Sequence, residues 1–86
     1  MSDLKCTLVV ANHAAAAARG LKPGEVELLV ELAGGRTVRQ LARRFSVADG
    51  TVSRWLGELR KRVGAQTNPQ LIAWAYQRGV LEVSVG

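Results

Sequence analysis

The chain has 86 residues, is 48% hydrophobic and carries a net charge of +5. That length gives one domain, burying about 60% of the surface its unfolded chain exposes, and the composition suits a core without a disulfide or metal staple. A single cysteine (Cys6) and a single histidine (His13) exclude an internal disulfide and a zinc site, and no apolar run approaches the ~20 residues of a membrane span.

The N-terminus has no basic stretch followed by a long apolar run, so a secretory signal is not expected. Residues 5–10 (KCTLVV) are β-prone, with Cys6 read as a small buried hydrophobe rather than a nucleophile. Asn12 is placed to cap a short helix through the alanines to Arg19, ended by Gly20. Alanines make a good helix but have little area to bury, so this one reads as a spacer or packing surface. His13 has no Ser, Cys or acid suggestively near it and reads as a surface residue at the helix start. None of the usual catalytic spacings occurs, and an enzyme is not expected.

Pro23 opens a stronger helix, where its missing N–H is no loss. Glu25, Leu28, Leu29, Leu32 and Ala33 recur at helical spacing, and Gly34-Gly35 ends the run. A second helix spans about 37–45, capped by Thr37, with Val38, Leu41, Ala42 and Phe45 on its apolar side. Arg36, Arg39, Gln40, Arg43 and Arg44 lie on the other. Residues 46–49 are too few for anything but a tight turn.

From Asp49 a third helix places Val52, Trp55, Leu56, Leu59 and Val63 on one side. Gly50, Ser53, Arg54, Gly57, Arg60 and Lys61 occupy the opposite side, and Gly64 closes the helix. Asn68-Pro69 reads as a cap followed by a first-turn proline. The fourth helix runs to about Arg78 and stops at Gly79, with Leu71, Ile72 and Ala75 inward. Residues 80–85 (VLEVSV) alternate like a half-buried strand. A lone strand leaves backbone groups unpaired, so 5–10 is expected to pair with 80–85, within one chain or across a dimer.

Charge is concentrated in one stretch. Residues 36–62 hold eight basic side chains against Asp49 and Glu58, a net of +6, more than the whole chain carries. Glu25, Glu27 and Glu31 precede it, which suggests one face for a polyanion and another for water or protein.

Two helices joined by a three- or four-residue turn, the second with small polar and basic residues at its exposed start, form a helix-turn-helix. A helix entering the major groove needs side chains there that reach base edges without blocking approach. Gly50, Thr51, Ser53, Arg54 and Gly57 meet that need. Arg54 is able to grip guanine O6 and N7 in bidentate fashion. Thr51 and Ser53 can bond bases or phosphates, and Gly57 allows close approach. Arg36, Arg39, Arg43, Arg60 and Lys61, with the Thr37 hydroxyl, are candidate phosphate contacts.

These residues carry a family resemblance. From Leu21 to Leu81 the chain resembles the LuxR-type (GerE, NarL/FixJ) C-terminal DNA-binding domain. Leu21 and Glu25 stand at the family's L-T-x-x-E opening, and Leu28, Leu29, Ala33 and Gly35 at the end of its first helix. Arg39, Gln40, Leu41, Ala42 and Phe45 stand at K-E-I-A-x-x-L. Thr51 and Val52 form the T-V pair, followed by Leu59, Arg62 and Val63 at I-x-x-K-L. Ile72, Ala75, Gly79, Val80 and Leu81 fit the close. About sixty of the 86 residues are covered.

The resemblance implies a four-helix domain whose third helix reads the major groove and whose fourth dimerises on a pseudo-palindromic site. By position it makes Ser53, Arg54 and Gly57 specificity residues and puts Thr51 and Arg39 on the DNA backbone. Trp55 replaces the family's usual His, implying a larger core contact. Ser53 replaces a frequent basic residue, and Gly57 is smaller than many members offer, which leaves more to Arg54. Ala48 replaces a Ser cap, so Asp49 is expected to cap one residue later. Lys22 and Gln40 stand in place of Thr and Glu. No receiver or ligand-binding domain is expected from these residues.

The fourth helix offers an outward row, Gln70, Ala73, Trp74 and Gln77, as a dimer surface anchored by Trp74. The alternative is that Trp74 folds back onto the alanine-rich segment.

The expected fold is therefore all-α: a four-helix helix-turn-helix domain over 21–86, preceded by an extension over 1–20, with β-prone termini. The expected function is a bacterial, cytoplasmic, nucleoid-associated transcription regulator. It would bind double-stranded DNA as a homodimer without a cofactor or metal. Two other roles fit the same residues: an accessory factor of a mobile element, or a module docking on polymerase, a sigma factor or another regulator.

Overall fold

A computed structural model describes residues 7–85, with side-chain placement for 9–83. Lys5 and Cys6, and with them the expected burial of Cys6, lie outside the described residues. The order of elements is β1 (Thr7–Ala11), α1 (His13–Ala18), α2 (Pro23–Ala33), α3 (Val38–Phe45), α4 (Asp49–Val63), α5 (Asn68–Gln77) and β2 (Leu81–Val85). The fold is all-α, built on the helix-turn-helix α3–α4, with two short strands closing it.

The termini pair within one chain. β1 and β2 run antiparallel, with Thr7 opposite Val85, Val9 opposite Val83 and Ala11 opposite Leu81. Directly opposite residues share a sheet face. Leu81 on that face is buried while Val83 is 53% exposed, so the ribbon runs past the edge of the core. Asn12 extends the closure by donating its N–H to the Val80 carbonyl (2.8 Å). Its side chain also caps α1, accepting from the Ala15 N–H at 3.0 Å.

Leu29, Leu41, Leu56, Leu59, Leu71 and Leu81, with Val26, Val52 and Val80, are the largest fully buried side chains, and no polar or charged side chain is buried among the described residues. Ala16 joins them from α1, so the alanine helix serves as a packing surface. In α2 the buried residues are Val26, Leu28 and Leu29, while Leu32 and Ala33 are half-buried. The stripe thus starts at Val26 rather than Glu25. In α5 Leu71 and Ala75 are buried and Ile72 only half so.

Two caps sit one residue earlier than the sequence suggests. α4 begins on Ala48, which makes no side-chain capping bond, and Asp49 lies inside the first turn. At α5 the cap is Thr67, whose hydroxyl accepts from the Gln70 N–H at 3.2 Å. Asn68 is the first helical residue, and its side-chain carbonyl is used instead by Arg60.

The α3–α4 turn is fixed by one unusual residue. Ser46 adopts a left-handed conformation (φ 59°) at the end of α3. That geometry lets the Val47 N–H reach the Ala42 carbonyl at 2.9 Å and redirects the chain into α4.

Candidate nucleic-acid interface

The interface is built outward from α4. Val52, Leu56 and Leu59 anchor it in the core. Residues at spacings of three and four lie on one side of a helix, so Gly50, Arg54, Gly57 and Lys61 form a row turned away from that anchor. Gly50, Ser53, Arg54 and Lys61 are exposed, whereas Thr51, Gly57 and Arg60 are half-buried. A methyl group built on Gly50 would meet no atom within 4 Å, and one on Gly57 would touch only the Arg60 guanidinium at 3.7 Å. Internal packing therefore requires neither glycine; both leave the outer row low.

The arginines divide into two groups. Arg62 binds Glu25 at 2.7 Å, Arg36 binds Glu31 at 3.1 Å, and Arg44 lies 3.3 Å from Glu31 and 3.9 Å from Glu27. All three acids of α2 are thus engaged with arginines of the basic stretch. The acids of α2 therefore border the basic stretch and engage three of its eight cations. Arg39 approaches Asp49 at 3.9 Å with both side chains largely exposed. Arg43, Arg54 and Lys61 have no ion pair among the described residues and are exposed.

The other phosphate candidates have internal partners. Thr37 caps α3, its hydroxyl accepting from the Gln40 N–H (3.2 Å) while its own N–H donates to the Gln40 side chain (2.9 Å). Arg60 donates to the Asn68 side-chain carbonyl, which turns its head toward the start of α5. No spacing in the sequence announces that contact, since it depends on how α4 and α5 cross.

Trp55 meets Phe45 edge to face, with ring centroids 6.2 Å apart and planes at 84°. It is half-buried at the margin of the core. On α5, Gln70, Ala73, Trp74 and Gln77 line a single depression together with Val63 at the end of α4 and Ala65 just beyond it. Trp74 thus stands beside the α4 terminus. Gln70 is partly committed, its side-chain carbonyl accepting from the Gln66 N–H at 2.7 Å. Among the described residues no three His, Cys, Asp or Glu side chains gather as a metal site, and no helix is long and apolar enough to cross a membrane.

The fold has a solved counterpart. The chain superposes on VqmA of Vibrio cholera with a TM-score of 0.65 and 27% identity. That VqmA chain comes from a ligand–DNA complex. The match covers 77% of this chain but only 34% of VqmA, so the chain spans about a third of that protein. No protein-family model matches the chain, and no curated protein matches its sequence. VqmA therefore supports a fold of the DNA-bound helix-turn-helix kind.

Proposed function

We propose that this chain binds double-stranded DNA as a LuxR-type helix-turn-helix domain and regulates transcription without catalysis or cofactor. The observation carrying this reading is the low row on α4, exposed at Gly50, Arg54 and Lys61 and half-buried at Gly57, on a fold shared with a chain from a DNA complex. A row without bulky side chains at two of four positions lets a helix settle deep in the major groove. Arg54 then reads guanine, with Thr51 and Ser53 beside it. Arg39, Arg43 and Lys61 hold phosphates, and Arg36, Thr37 and Arg60 flank them as secondary contacts.

In this reading residues 21–86 are the DNA-binding unit and 1–20 an extension. A second copy docks along Gln70, Ala73, Trp74 and Gln77, giving a homodimer on a two-fold site. Such a protein works in the cytoplasm on the nucleoid. Selection of bound sequences from random DNA tests the whole reading. A two-fold symmetric motif with a guanine in each half is the expected result, and recovery of unenriched sequence would overturn it.

A second reading draws on the ion pairs. With Arg36, Arg44 and Arg62 engaged by α2, fewer cations remain for phosphates, which favours a module docking on polymerase or another regulator. Salt dependence separates the two. Direct phosphate contacts lower log K with a slope of roughly −0.9 per contact in log salt, whereas a module of that kind shows no duplex affinity even at low salt.

A further inference from the structure

We propose that the depression enclosed by α2, α3 and α4 is a binding site for a small aromatic zwitterion, the chemistry of an aromatic amino acid. Its apolar lining is Leu28 from α2, Phe45 from α3, and Trp55 and Leu59 from α4. The depression, open to solvent on one side, holds about 410 Å³, within the range of roughly 300–1,000 Å³ typical of small-molecule sites. Val52 and Leu56 of the same helix are buried away from the depression, but Trp55 is only half-buried, so part of its indole is left to it. An aromatic ligand body adds a third ring to the Phe45–Trp55 pair, a favourable edge or offset contact.

The rim sets the charge of the ligand. Glu25 is already engaged, by the Arg62 guanidinium at 2.7 Å and by the Lys22 N–H at 2.9 Å. Lys22 and Glu58 are exposed, border the same depression, and have no ion pair among the described residues. One cation and one anion thus face a cavity with an apolar floor. A carboxylate and an ammonium on one aromatic ligand answer both. A purely anionic aromatic compound meets Glu58 unfavourably, and a purely cationic one meets Lys22 unfavourably. The site lies on the side of α4 facing α2, off the row of Gly50, Arg54, Gly57 and Lys61, so the inference is independent of the DNA reading.

Titrations of the ¹⁵N-labelled chain followed by amide and indole N–H resonances test it, with L-tryptophan, tryptamine and indole-3-propionate as probes. The expected result is saturable shifts centred on Leu28, Phe45, Leu59 and the Trp55 indole. L-Tryptophan binds tightest, with each singly charged analogue about threefold to fivefold weaker, as exposed ion pairs allow. Glu58→Gln removes the advantage over indole-3-propionate, and Lys22→Gln removes that over tryptamine, with the dispersion of the spectrum showing that each variant is folded. The absence of saturable shifts up to the solubility limit, shifts centred on Trp74, or equal affinity for the three probes would each overturn the proposal.

Discussion

Arg62, in the last turn of α4, reaches back across the molecule to Glu25 in the first turn of α2, with Nη1 2.7 Å from Oε2. Its other terminal nitrogen donates to the Gly20 carbonyl at 2.9 Å. One guanidinium thereby ties the end of the candidate recognition helix to the entry of the helix that supports it. Because the Arg62 and Glu25 side chains remain 43% and 27% exposed, water screens much of the attraction. Arg62→Ala is expected to cost about 1 kcal/mol, a fall in Tm of about 4–8 °C for a domain of this size. The salt slope of DNA binding should stay as in the parent, since this charge is already used internally. A shallower slope would put Arg62 on the phosphates.

Arg54 and Lys61 should separate in the opposite sense. Arg54→Ala is expected to reduce discrimination between selected and random DNA by about 1–3 kcal/mol. Lys61→Ala should weaken both equally and reduce the salt slope by about 1. Fluorescence anisotropy at several salt concentrations measures both quantities. Equal losses on both DNAs for Arg54→Ala would remove it from base reading.

Gly57 sits mid-helix in α4, where a methyl group would contact only Arg60 at 3.7 Å. Gly57→Ala should therefore stabilise the fold by about 0.5–1 kcal/mol, since glycine is a poor interior helix residue. Gly57→Leu should fold as well yet bind DNA more weakly, because its side chain fills the approach to the groove. Thermal melts beside binding isotherms check the pair, and an unchanged affinity for the leucine variant would count against groove insertion by this face.

Ser46 holds a left-handed backbone with φ 59°, a conformation costing roughly 1–2 kcal/mol for most L-residues and almost nothing for glycine. Ser46→Gly is expected to raise stability by about 0.5–1 kcal/mol in a urea melt, with DNA binding unchanged. A loss of stability would mean that the serine side chain contributes more to the turn than its backbone geometry suggests.

Helix ends were legible wherever local chemistry writes them. Pro23, Gly64 and Gly79 mark boundaries through ring geometry or left-handed turns, independent of the rest of the fold. Choices that depend on distant partners were not legible. Thr67 caps α5 in preference to Asn68 because Arg60, eight residues before Asn68, takes the asparagine carbonyl. Ala48 starts α4 ahead of Asp49, whose carboxylate instead lies near Arg39. At the candidate site, the basic stretch was evident from composition. Which of its arginines face outward was not, because Glu25, Glu27 and Glu31 select their partners only once α2 packs across α3 and α4. The α5 row was legible as a set, since residues at helical spacing come together whatever the tertiary context.

The Thr7–Val85 register joins positions separated by nearly the entire described chain. Closing so long a loop carries a larger entropy cost than forming any of the helical hairpins inside it, and distant pairings of this kind slow the approach to the native state. The ribbon should accordingly assemble after the helices and open before them, with its amides exchanging with solvent sooner than those of α4. The ribbon can then open and close while α4 stays formed.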